Sequence, residues 1–186
     1  MLRTLTAAAA LLSATAAFAA APSGMENPMV GGAPMFASKN IVENAVNSAD
    51  HTTLVAAVKA AGLVDTLEGP GPFTVFAPTN EAFAMLQKGT VETLLKPENK
   101  AQLVKVLTCH VVAADALSGM IEQMIASDGG EHDVTTVGGC VLKAKMEGKW
   151  ITLTDERGRT AHVTIADVKQ SNGVIHVIDK VLLPAS

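Results

Sequence analysis

Apolar residues recur along this chain at two spacings, and the change falls near Asp133. Before it the spacing is helical. Ile41, Ala45 and Val46 open a periodic segment, and Leu54, Ala57, Val58 and Ala61 share one face that Gly62 would stop. Gly69-Pro70-Gly71-Pro72 is a hard break. Phe73-Thr74-Val75-Phe76-Ala77 is a short β-prone run ended by Pro78. Thr79 or Asn80 can cap the next helix, with Glu81 in its positive first turn and Phe83 and Leu86 facing inward. Beyond Pro97, Leu103, Val106, Leu107 and His110 fall at i, i+3, i+4 and i+7. Asp115 is expected to cap a short helix whose Leu117, Met120, Ile121, Met124 and Ile125 make a second stripe, read as core.

From Asp133 the period is two. Cys140, Leu142, Ala144 and Met146 alternate with Val141, Lys143 and Lys145. A turn at Glu147-Gly148-Lys149, a strand over residues 150–154, a polar turn over residues 155–159 and a strand over residues 161–168 follow. Asn172-Gly173 is a hairpin signal, and residues 174–183 read as the last strand. Helices first and an antiparallel sheet second make the fold class α+β.

The ends and the composition narrow the picture. Residues 1–19 read as a secretory signal: Arg3, an uncharged Ala/Leu-rich run, and Ala17-Phe18-Ala19 as the small-x-small end. Residues 20–35 are rich in Pro, Gly and Met and read as a flexible arm. Met25, Met29 and Met35 there are soft-metal donors in principle, against the plainer reading of incidental linker residues. Removing the signal leaves 13 basic and 18 acidic residues, a net charge of −5. An acidic chain with 3% aromatic residues is unsuited to binding nucleic acid. No apolar run past the N-terminus is long enough to span a membrane.

Two segments carry a family likeness. FTVFAPTNEAF, residues 73–83, resembles the first signature of the fasciclin domain, with Thr74, Pro78, Thr79, Asn80 and Phe83 in place. NGVIHVIDKVLLP, residues 172–184, resembles the second, with Asn172, Gly173 and His176. Between them LTCHVV, with His110, sits where the family has its Tyr-His segment. The resemblance covers residues 36–184 as a single domain. It implies a wedge-shaped fold, with helices mainly in the N-terminal half packed on a seven-stranded, largely antiparallel β arrangement. It also implies extracellular adhesion or matrix contact without turnover. The family's Tyr is Cys109 here and the chain has no Tyr, so the integrin contact associated with that segment in animal members does not carry over. Arg-Gly-Asp is absent; Arg157-Gly158-Arg159 reads as a polar turn.

No catalytic motif competes with this likeness. There is no G-x-S-x-G elbow, phosphate loop or H-E-x-x-H helix. Glu131-His132-Asp133 reads as a solvated turn rather than an acid–base site. His162 and His176 lie on successive predicted strands, but two ligands fall short of a zinc site. In an exported chain, two and only two cysteines suggest a Cys109–Cys140 bridge; the alternative is two separately buried thiols. His110, on an apolar face, is expected to be buried, hydrogen-bonded and neutral. The sequence therefore points to a secreted or periplasmic interaction module. Its partner would be a cell-surface or matrix protein or polysaccharide, and it would need no cofactor, metal or catalytic residue. The alternative is an exported hydrolase or small-ligand carrier with an unrecognised pocket.

Overall fold

The computed structural model describes residues 27–185. The signal read over residues 1–19, and Met25, lie outside the described residues. Helices and short strands share the first part of the chain: β1 (Met29–Val30), β2 (Ala33–Pro34), α1 (Ile41–Ala45), α2 (Thr52–Ala61), α3 (Val64–Glu68), β3 (Phe73–Pro78), α4 (Asn80–Ala84), α5 (Thr90–Leu94), α6 (Lys100–Thr108), β4 (Val111–Val112) and α7 (Ser118–Ser127). Strands alone follow: β5 (Glu131–Thr135), β6 (Val141–Glu147), β7 (Trp150–Thr154), β8 (Thr160–Gln170) and β9 (Gly173–Ile178).

Seven strands form one sheet in the order β4-β3-β9-β8-β7-β6-β5. Every neighbouring pair is antiparallel except β3 and β9, which run parallel with Phe76 opposite His176. The long β8 joins the two halves. Its first residues pair with β7, and from Val163 onward it pairs with β9 through two register shifts. The residue after Thr136 closes the curl, because Val137 N donates to the Val111 carbonyl of β4 at 2.7 Å. Two apolar cores result. One packs α1, α2 and α6 on β3 and β9; the other packs Ile121 and Ile125 of α7 on Leu142, Ala144 and Leu153.

Several expectations change at this level. The arm read through Met35 is structured in its described part, because Gly31 and Gly32 both take positive φ (57° and 75°) and close the β1–β2 hairpin. That hairpin sends Val30 and Met35 into the first core, whereas Met29 faces solvent. The thioethers of Met29 and Met35 are thus not gathered for a metal. Asp115 does not cap α7. The helix begins at Ser118, whose backbone N and Oγ donate to the Asp167 carboxylate at 2.7 and 2.5 Å. Asp167 reaches it from a left-handed position (φ 57°) in the irregular stretch of β8. Glu131-His132-Asp133 is strand rather than turn, laddered to β6. The last strand ends at Ile178, because the Asp179 side chain turns aside to accept His162 N at 2.7 Å.

Candidate interaction surface

The residues of the two family segments work inside the molecule. Thr74, fully buried, donates its hydroxyl to the Ala114 carbonyl at 2.6 Å and accepts Ala116 N at 2.8 Å. His176 accepts Asp167 N on Nδ1 (3.2 Å), so its proton sits on Nε2, which donates to the Ala116 carbonyl at 2.7 Å. Its ring stacks on Phe76, centroids 5.7 Å apart, and burial pushes its pKa down, so it is held neutral. These bonds fasten the segment between β4 and α7 onto the parallel β3–β9 pair.

Pro78 is the buried last residue of β3, and Thr79 caps α4 by accepting Ala82 N. Asn80 reaches the start of α2 instead. Its Oδ1 accepts Thr53 N (3.0 Å) and the Thr52 hydroxyl (3.2 Å), while Nδ2 donates to the Ala49 carbonyl at 2.8 Å. Phe83 is buried in the first core. Asn172 accepts Ile41 N at 3.1 Å and donates to the Leu67 and Gly69 carbonyls at 2.7 and 3.1 Å, so one amide holds α1 and the end of α3. Gly173 has φ 156°, and a Cβ there would lie 1.9 Å from the Phe73 carbonyl oxygen.

His110 follows the C-terminal end of α6. Its Nδ1 donates to the Val106 carbonyl at 2.8 Å, leaving Nε2 to accept Leu182 N at 2.9 Å. Burial pushes its pKa down to about 4. Beside it Cys109 and Cys140, 0% and 2% exposed, form a disulfide with Cα atoms 5.4 Å apart. His162 and His176 do not form a pair: His162 meets Asp179 (3.1 Å) and Glu147 (3.7 Å), away from the His176 network. Among the described residues no group of three or more His, Cys, Asp or Glu side chains is placed to hold a metal.

Sequence reasoning missed Asp155. Treated as part of a polar turn, it is 4% exposed. It accepts Arg157 N, Arg159 N, the Arg159 guanidinium and Leu183 N at 2.9–3.1 Å. The Asp-x-x-Gly turn signature was legible, but the contact with Leu183 comes from a distant segment.

The polar surface lies on the outer face of β5–β8. Strand alternation puts Glu131, Lys143, Lys145, Trp150 and His162 there, while Leu142, Ala144 and Leu153 face α7. Lys143 and Lys145 both donate to the Glu131 carboxylate (2.6 and 2.7 Å), and those bonds bring its pKa down to about 2. Trp150, the sole Trp, is 42% exposed with Lys149 Nζ 5.2 Å from its ring centroid.

Helices packed on a seven-stranded sheet, with Thr74 and His176 buried beside the parallel β3–β9 pair, make the architecture of a fasciclin domain. Residues 49–184 match the sequence profile of the Fasciclin domain, and the chain belongs to that family. Protein sll1483 of Synechocystis sp. is 44% identical over 170 residues, covering 91% of this chain and 87% of its own length. Transforming growth factor-beta-induced protein ig-h3 of Sus scrofa is 36% identical over 131 residues, 70% of this chain and 17% of the relative. A solved FAS1 domain pair from the insect cell adhesion molecule Fasciclin I superposes with a TM-score of 0.69 at 16% identity. That match covers 78% of this chain and 51% of the other, and shows the shared fold. Among the described residues no helix is long and apolar enough to cross a membrane.

Proposed function

We propose that this protein is a secreted or periplasmic interaction module that binds a cell-surface or extracellular-matrix partner, protein or polysaccharide, without turnover. One observation carries the reading. Thr74, Asn172 and His176 of the two family segments, and His110 between them, are committed to internal backbone groups, which leaves recognition to the surface. The outer face of β5–β8 suits it, since it combines a half-exposed Trp with a charged Glu-Lys-Lys cluster on a rigid sheet. Purified protein should be retained saturably by an envelope or matrix fraction and be inert toward ester, glycoside, peptide and phosphate substrates. Trp150→Ala and Lys143→Glu should weaken retention without unfolding the chain. Turnover abolished by a single substitution would overturn this reading.

The small-ligand carrier remains the second reading because of one feature. An apolar crevice lies among α1, α2 and α3, lined by Leu54, Val58, Val64 and Leu67 with Lys59 as its charged residue; its free volume is only about 40 Å³, so a ligand would have to part the helices to enter. A screen of short-chain fatty acids against the purified protein separates this from surface binding.

A further inference from the structure

Two methionines and one histidine line the crevice between α7 and β5. Met120 and Met124 are four residues apart on α7, about one 5.4 Å helical turn. Both line the crevice, as does His132 of β5. The register explains the histidine's presence, since His132 lies opposite Ala144 on the sheet face that α7 covers. The helix stripe divides its labour. Ile121 and Ile125 are 1% and 2% exposed and supply the core, whereas Met120 is 49% exposed and contributes little to it.

Asp128, one turn beyond Met124, orients the ring. Its Oδ2 lies 2.6 Å from His132 Nδ1. A carboxylate only accepts, so Nδ1 carries the proton and the lone pair is on Nε2. A carboxylate holding the far nitrogen of a metal-binding imidazole is the usual second partner in such sites. Two neutral thioethers and an imidazole are soft donors that favour Cu(I) over Zn(II), Ca(II) or Mg(II).

We propose that Met120, Met124 and His132 bind one Cu(I) ion, with Asp128 as the positioning residue. The site is independent of the outer sheet face and of the interaction reading.

The test uses the whole purified protein under anaerobic conditions. Cu(I) is titrated against a chromogenic Cu(I) chelator, and the redox-inert surrogate Ag(I) is followed by the NMR signals of ¹³C-methyl methionine. One equivalent of Cu(I) should be retained, and Ag(I) should shift the Met120 and Met124 methyls while leaving Met35 and Met85 in place. Met120→Leu/Met124→Leu, which conserves core volume, should weaken retention at least about tenfold. Asp128→Asn should weaken it about 10–100-fold. Failure to compete with the chelator would overturn the proposal, as would tight Cu(I) binding by the double variant. So would loss of binding in Met25→Leu/Met29→Leu, or Zn(II) binding as tightly as Cu(I). The methyl shifts are read on the unmodified chain, so they decide the matter even if a variant folds poorly.

Discussion

The Nε2 of His110 accepts the backbone N–H of Leu182 at 2.9 Å, joining the end of α6 to a segment 72 residues later. The same ring donates to Val106, so a single neutral imidazole satisfies two buried backbone groups. His110→Ala removes both bonds and leaves a cavity. Its expected cost is about 2–4 kcal/mol, read as a lower urea midpoint with partner binding retained by the folded fraction. Normal stability with lost binding would instead make His110 a contact residue.

The histidines set an acid limit. His110 binds its proton at about 4 in the folded state and at 6.5 when unfolded. Between those values the unfolded chain holds more protons, so stability falls as pH drops from 6.5 to 4 and this contribution levels off below. For His110 alone the loss is on the order of 3 kcal/mol. His51 and His176 are shifted down by burial too and steepen the same slope. Glu131 acts lower, between 4.5 and 2, where protonation releases Lys143 and Lys145. Urea titrations from pH 7 to pH 4 should show the first slope, and His110→Gln should flatten it.

The disulfide closes a span of 31 residues. Removing it as Cys109→Ala/Cys140→Ala should cost roughly 3–4 kcal/mol by loop-closure entropy, seen as a fall in Tm. Thiol labelling of denatured, unreduced protein should find no free thiol.

Two glycines should respond differently to alanine. At Gly173 a Cβ would lie 1.9 Å from the Phe73 carbonyl, so Gly173→Ala must separate β3 from β9 and should prevent stable folding. Gly158 has φ 76° but open space around it, so Gly158→Ala should cost only about 1 kcal/mol. Thermal melts of the two variants make the comparison.

Asp155 is buried with Arg159 as its charged partner. Asp155→Ala leaves the Arg157, Arg159 and Leu183 N–H groups without their acceptor, while the part-exposed guanidinium keeps the Val181 carbonyl, and should cost about 2–4 kcal/mol in chemical denaturation. Arg159→Ala strands the carboxylate in turn, but that carboxylate keeps three backbone donors, so its cost should be smaller.

Local pattern determined much of this protein. The apolar spacing placed α2, α6 and α7, Gly62 took the left-handed stop of α2, and the period-two alternation of β6 matched its buried Leu142 and Ala144. These depend on which residues are neighbours along one element, information that periodicity carries directly. The family segments likewise marked Asn172 and His176 before any contact was known. Only the tertiary structure decided what those residues do. Asn172 spends its amide on Ile41, Leu67 and Gly69, and α7 is capped by Asp167 rather than by Asp115. Polar side chains are satisfied by whichever backbone group the packed chain brings within about 3 Å, across dozens of residues. Sequence spacing cannot encode that distance, because it is set by how the helices settle on the sheet.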